Sequence, residues 1–221
     1  MKKNILIFLL LIVINNLNAQ SYMNGMANSG PLKIFTKAKT PEKYTGSPYI
    51  NDLFLPTIID DGERSLEAFA RYNSVEDVVE IKVQKNSDEI NVLPKLKAIK
   101  YRLLDYTIFI DNFKNTEGET IDGYMFEYFS DSGLRFLARP LPDVIPAKEA
   151  RSGYEESRPA HLDVNMSYYI QKDGGRLKEV RLKEKDFKSI FSDKGKMDAY
   201  FKENKIKDEK DVIEMLKFYS E

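Results

Sequence analysis

The sequence predicts an α+β fold: a mainly antiparallel β-sheet domain closed by a small C-terminal helical cap. Three observations carry that expectation. From Tyr44 to about Lys183, short apolar runs alternate with polar turn clusters, as in ARYNSVEDVVEIKV (70–83), where Val79, Ile81 and Val83 take one side and Glu80 and Lys82 the other. Beyond Lys183 the apolar residues recur at helical spacing instead, so the two kinds of element are segregated along the chain. The chain also has no cysteine, so its body must be held by core packing rather than by disulfides.

The N-terminus reads as an export signal. Lys2 and Lys3 precede an apolar run from Ile5 to Ile14 and a polar stretch ending in Ala19, and cleavage is expected between Ala19 and Gln20. The run is about half of the ~20 residues that span a bilayer, so a retained anchor is the poorer reading, and no later segment is suited to span one. A lipid anchor needs a cysteine at the cut, and there is none. Residues 20–43 are poor in apolar groups and rich in Asn, Gly, Ser, Lys and Pro, which reads as a flexible leader, though Met23, Met26, Leu32, Ile34 and Phe35 could dock on the body. The chain therefore divides into a signal (1–19), the leader (20–43), a β domain (44–183) and the helical cap (184–221).

Cleavage leaves about 200 residues, enough for one domain with a real core. Of the 34 basic residues, Lys2 and Lys3 would leave with the signal, so 32 remain against 35 acidic ones, a formal charge of −3. Charge this balanced gives no electrostatic reason to expect nucleic acid or an anionic membrane as partner.

Taken in order, GSPYINDLFLPTII runs from turn residues into an apolar stretch in which Pro56 argues for an edge or a break. DDGERS is a turn, LEAFARYN and DVVEIKV are strands joined by the bend Asn73–Asp77, and KNSDE turns the chain again. IKYRLLDYTIFIDNF reads as one long stretch with Tyr106, Ile108 and Ile110 on one side and Thr107 and Phe109 on the other. After the polar loop KNTEGET, GYMFEYF and LRFLARPL form a hairpin about SDSG, with Gly133 at positive φ. Both faces of YMFEYF are largely apolar, which predicts a central strand covered on both sides. MSYYIQ, KDGG and RLKEVRL form a second hairpin; the proline-rich PLPDVIPAKEARSGYEESRPA between the two is a crossing loop or an extended edge. In the tail, Phe187, Ile190 and Phe191 share a helical face, as do Met197, Tyr200 and Phe201, and then Val212, Ile213, Leu216 and Tyr219. Asp208 suits the N-cap of the last helix, with Glu209 and Asp211 in its first turn.

Catalytic grammar is sparse. His161 is the only histidine; as a base it would draw on Asp163, two residues on and on the same strand face, but its commoner role is structural. A zinc site is not expected from one histidine and no cysteine. There is no G-x-S-x-G, S-x-x-K or phosphate-cradling glycine loop. The acidic doublets Asp60–Asp61, Glu76–Asp77 and Glu155–Glu156 would point to opposite faces of a strand, not across a substrate bond. DDGE (60–63) and DNFKNTEGE (111–119) carry oxygen ligands but not EF-hand spacing, and solvated turns are rich in acids anyway. The hairpin aromatics suit cross-strand packing better than a ligand platform, and there is no Trp to stack on a sugar. The candidate binding residues are Arg71, Tyr72, Asn73, Tyr124, Tyr128, Arg158 and His161; no catalytic residue, metal or cofactor is assigned.

The phrases YTGSPYINDLF, ARYNSVEDVVEI and KDFKSIFSDKGKMDAYFKENKIKDEKDVIEMLKFY, with the signal ending LNAQS, resemble a group of exported β-rich proteins typical of Bacteroidota. That resemblance implies an envelope protein with a β-rich body and a helical tail, periplasmic or outer-membrane-associated rather than released. It assigns no activity or site residues. The expected function is a non-enzymatic envelope module that binds another envelope component through an edge strand or the helical cap. One alternative is a small-ligand or lipid carrier with an aromatic-lined cavity; another is a carboxylate hydrolase built on Glu155, Glu156, Arg158 and His161.

Overall fold

The computed structural model describes residues 41, 43–150, 156–191 and 193–220; the expected signal peptide, the leader up to residue 40 and Glu155 lie outside them. Among the described residues the strands are β1 (Tyr44–Gly46), β2 (Leu55–Asp60), β3 (Ser65–Asn73), β4 (Val78–Lys82), β5 (Asn91–Val92), β6 (Lys100–Arg102), β7 (Thr107–Ile110), β8 (Phe113–Lys114), β9 (Thr120–Ile121), β10 (Tyr124–Asp131), β11 (Leu134–Ile145), β12 (Ala160–Lys172) and β13 (Lys178–Val180). Three helices follow: α1 (Glu184–Lys188), α2 (Lys194–Glu203) and α3 (Glu209–Ser220). This is the α+β arrangement that the change of period predicts, with the helices gathered at the C-terminus. None of the helices is long and apolar enough to cross a membrane.

One sheet takes the order β1-β12-β11-β10-β7-β6-β2-β3-β4-β5, with β13 also on β12; β8 and β9 form a separate small hairpin. The β1–β12 pair is parallel and the other strand pairs are antiparallel. The sheet curls strongly. Tyr72 on β3 meets Tyr124 and Phe126 on β10, with ring centroids 6.0 and 5.4 Å apart, although β2, β6 and β7 lie between those strands. Ile59, Ala68, Ala70, Val79, Ile81, Tyr101 and Ile108 fill the rest of this concave core.

The C-terminal half of the sheet is covered on both faces. On one, Leu134, Phe136, Ile170 and Val180 pack against Phe187, Phe191, Met197, Tyr200, Val212, Met215 and Leu216. Those are the stripes that helical spacing predicts, and short helices need this contact to persist. On the other, Phe113 and Ile121 of the β8–β9 hairpin cover Phe109, Met125, Leu137 and Tyr169. Strand β10 is accordingly central and buried on both sides. Its turn to β11 places Ser132 and Gly133 at φ 49° and 76°, the two consecutive positive values of a tight hairpin reversal. Asp208 caps α3 through its carboxylate, which accepts from the Lys210 and Asp211 N–H groups at 3.0 and 3.1 Å.

Two expectations need correction in detail. IKYRLLDYTIFIDNF is not one strand: β6 and β7 are separated by a tight turn over residues 103–106, closed by the Leu103 N–H donating to Tyr106 O at 2.9 Å. Pro56 lies inside β2, which sits between β6 and β3; β6 pairs only with residues 58–60, so the proline stands where β2 is locally an edge. The proline-rich segment is extended, and β11 continues through it to Ile145, in register with β12. Leu162 O accepts from the Ser47 N–H at 2.9 Å, so even-numbered residues of β12 turn their main-chain groups away from β11. Pro140 opposite Met166 and Pro142 opposite Val164 are therefore non-hydrogen-bonded pairs. Both proline nitrogens face the edge that β10 leaves open beyond Ala138, where they block further strand pairing.

Candidate functional site

The seven residues singled out from the sequence fall in three separate places. Arg71 lies on the convex face. Its guanidinium pairs with Glu80, donates to the Tyr49 hydroxyl at 2.9 Å and to Asp52 O at 3.1 Å, and lies over the Tyr49 and Phe54 rings. It clasps the segment before β2 onto β3 and β4. Burial and the neighbouring Glu80 carboxylate push the Tyr49 phenol up to about 12.

Tyr72, one residue on, points the opposite way into the core. Its hydroxyl donates to Asp77 Oδ1 at 2.7 Å; the same carboxylate pairs with Lys95 and accepts from the Tyr124 N–H at 3.3 Å. Gly123 is required beside it: its φ is +100°, and a Cβ there would lie 3.0 Å from Asp77 Oδ2. Asp77 thus ties the β3–β4 bend to the start of β10 and holds the curl shut. Tyr124 is buried edge-on against Tyr72 and Tyr101, and Tyr128 lies between Tyr106 and Phe136, joining the concave core to the helix-covered one. Burial is the main cause pushing the Tyr72, Tyr124 and Tyr128 phenols well above the ordinary range. Asn73 is buried and organises the bend, its Oδ1 accepting from the Val75 and Glu76 N–H groups at 3.1 Å.

Arg158 and His161 lie at the far end of the β11–β12 ribbon. Arg158 exchanges main-chain hydrogen bonds with Lys148 at 2.8 Å, and exposed His161 meets Thr45 Oγ1 through Nδ1 at 3.0 Å. Of the carboxylates weighed for chemistry, Asp60 pairs with Arg102, Asp61 accepts from the Glu63 and Arg64 N–H groups, and Asp77 pairs with Lys95. Among the described residues no group of three or more His, Asp or Glu side chains is placed to hold a metal ion.

A different surface brings exposed apolar groups together. On the convex face of β2, β3 and β6 runs an open groove of about 560 Å³, with Pro56, Ile58 and Phe69 as its floor, Leu103 and Leu104 on one side and Val83 on the other. Ile58 and Val83 are 42 % and 55 % exposed. Leu104, at the tip of the β6–β7 turn, is 96 % exposed. That position normally takes Gly, Asn or Asp. Nor is the turn a loose one. Tyr106 at its base stacks on Phe126 with centroids 4.7 Å apart, and the Leu103 side chain packs partly against the concave core. The fold therefore holds a leucine out in water on a fixed base. The charged rim is ordered too: Ile58 faces Glu67 on β3 and Arg102 on β6, so an acid, an aliphatic group and a base form one row across three strands.

None of these apolar residues is among the seven. Two signals in the sequence pointed to them: the Ile58–Ile59 doublet, which puts an aliphatic side chain on each face of one strand, and the Leu103–Leu104 doublet directly before a turn aspartate. Comparison with protein-family models, curated proteins and solved structures finds no match.

Proposed function

We propose that the protein is a non-enzymatic binding module of the exported envelope compartment, and that it holds another protein against the convex face of β2, β3 and β6. The observation that carries this reading is Leu104, fully exposed on an anchored turn beside an apolar groove; a contiguous apolar patch of this kind marks an interaction site. The signal-like N-terminus and the resemblance to exported β-rich proteins support the compartment. Support for a non-catalytic role comes from the seven candidate residues, which are spent on the curl, the bend and strand pairing rather than converging on one point. The helical stripes face the sheet and the ribbon edge is blocked by Pro140 and Pro142, so the convex face suits docking better than either the cap or that edge.

The test is a photo-crosslinking amino acid in place of Leu104, with Glu117 in the β8–β9 turn as control, activated in intact producing cells. A discrete protein adduct from position 104 and none from 117 is the expected result. No adduct from position 104 rejects the reading.

A second reading, a carrier of a small apolar ligand, has one observation in its favour. Ile59, Leu66, Leu93 and Ile99 line an open pocket of about 420 Å³ at the mouth of the concave face, with Asp61 and Arg64 on its rim. The aromatic part of that face is packed ring against ring, so a ligand would sit at this aliphatic mouth. Saturable binding of a fluorescent fatty-acid analogue, lost in Leu66→Asp, would establish it.

A further inference from the structure

Resting on the reading that the convex face docks a protein, we infer that its partner is a second copy of this chain, related by a two-fold axis lying along β2 above Ile58. A self-associating surface must be complementary to itself, each feature meeting its counterpart across the axis. The row Glu67–Ile58–Arg102 has that property, with Arg102 shared between Asp60 of its own copy and Glu67 of the other. A two-fold axis parallel to β2 reverses the row, setting Glu67 opposite Arg102 of the other copy, and Ile58 opposite Ile58. The acidic and basic ends are then paired twice over, while the aliphatic centres meet and exclude water.

The knob and its hole obey the same operation. Leu104 lies two residues beyond Arg102, on the β6 side of the groove and level with Pro56. Pro56 faces Phe69, and Phe69 faces Lys82, so Phe69 holds that level on the opposite side, with Val83 one residue beyond Lys82 on the groove wall. Such an axis preserves level along the strand and exchanges the two sides. Each Leu104 therefore enters the other copy's groove between Phe69 and Val83, two insertions for one interface. The two sheets would pack face to face at about 10 Å with strands aligned. An interface centred on this groove is small beside a standard stable one, so a weak, concentration-dependent dimer is expected.

The test is analytical ultracentrifugation of the processed chain over about 1–500 μM. The wild type shifts from monomer to dimer across that range. Leu104→Asp stays monomeric at every concentration, with the wild-type Tm, because the side chain it replaces touches almost nothing within one copy. Glu67→Arg sets like charges opposite each other and weakens association at least ten-fold, while Glu67→Gln, which also leaves the Arg102–Asp60 pair intact, weakens it less. A wild type that stays monomeric at the highest concentration, or a dimer indifferent to Leu104→Asp, overturns the inference. The docking reading has its own outcome. If the adduct from position 104 forms with a different protein while the wild type is monomeric, the convex face binds but not its own copy; if neither adduct nor dimer forms, both ideas fall.

Discussion

The two halves of the sheet solve the same problem differently. Strands β10 to β13 carry apolar residues on both faces, and both are covered, by α1–α3 on one side and by the β8–β9 hairpin on the other, except at the outer end of β11, where Leu141, Val144 and Ile145 stay exposed. Strands β2 to β7 bury chiefly their concave face, by curling until Tyr72 reaches Tyr124 and Phe126. The convex face is covered at Phe109, by the β8–β9 hairpin, and at Arg71, by the segment before β2. Their convex face keeps Pro56, Ile58 and Phe69 without an overlying layer among the described residues. One half puts its apolar surface into stability; the other leaves part of it available for association.

Substitutions that probe this contrast should separate sharply. Phe136→Ala, in the doubly covered half, removes a fully buried ring that touches Tyr128 and Tyr168, and should cost about 3–5 kcal/mol in urea unfolding. A cost near 1 kcal/mol would mean that the helices pack loosely on the sheet. Tyr72→Phe tests the device that closes the curl. Asp77 would keep Lys95 and the Tyr124 N–H, so the expected loss is about 1–2 kcal/mol, read by the same denaturation.

Alkali probes the same core. The Tyr72, Tyr106, Tyr124 and Tyr128 phenols are raised in the folded state, chiefly by burial, with Tyr106 pushed up to about 12. Unfolded phenols ionise near pH ~10. The stability these groups contribute is therefore complete below that pH and is lost as pH rises through the folded-state values. Absorbance at 295 nm should show exposed tyrosines titrating first and these four ionising together with cooperative unfolding. A smooth titration of all tyrosines near pH ~10 in a still-folded protein would contradict the packed interior.

At the small end, Ile58→Ala and Leu104→Ala should each move stability by no more than about 0.5 kcal/mol in dilute protein, because neither supports the fold of one copy. Tyr101→Phe belongs with them. Its hydroxyl is buried near Tyr124 without hydrogen-bond geometry, so removing it should be neutral or slightly stabilising. A loss above about 1 kcal/mol would show that the Tyr101–Tyr124 contact is a real hydrogen bond.

The local rules were legible residue by residue. Alternation at Val79 and Ile81, the bend at Asn73, the Ser132–Gly133 reversal, the Asp208 cap and all three helical stripes follow from side-chain period and turn chemistry, which act over a few residues. The turn at Leu103–Tyr106 escaped because its chemistry is atypical: two leucines occupy positions where Gly or Asn would have announced it. The extension of β11 through Pro140 and Pro142 escaped because a proline's tolerance depends on which neighbour its nitrogen faces, and that is a property of the pair.

The candidate site shows the same boundary more sharply. That Arg71 and Tyr72 fall on opposite faces follows from strand period alone. That Tyr72 and Tyr124 meet in one core, with Tyr128 at its border, while Arg71 and His161 stand apart follows from the curl of the whole sheet. Sequence by itself determined most of the secondary elements, the segregated α+β layout and the apolar stripes, because each arises from contacts between near neighbours in the chain. Only the tertiary structure decided which apolar face stays open, since covering a face depends on where distant segments come to rest. It was that arrangement which left Leu104 exposed beside Ile58 and Phe69.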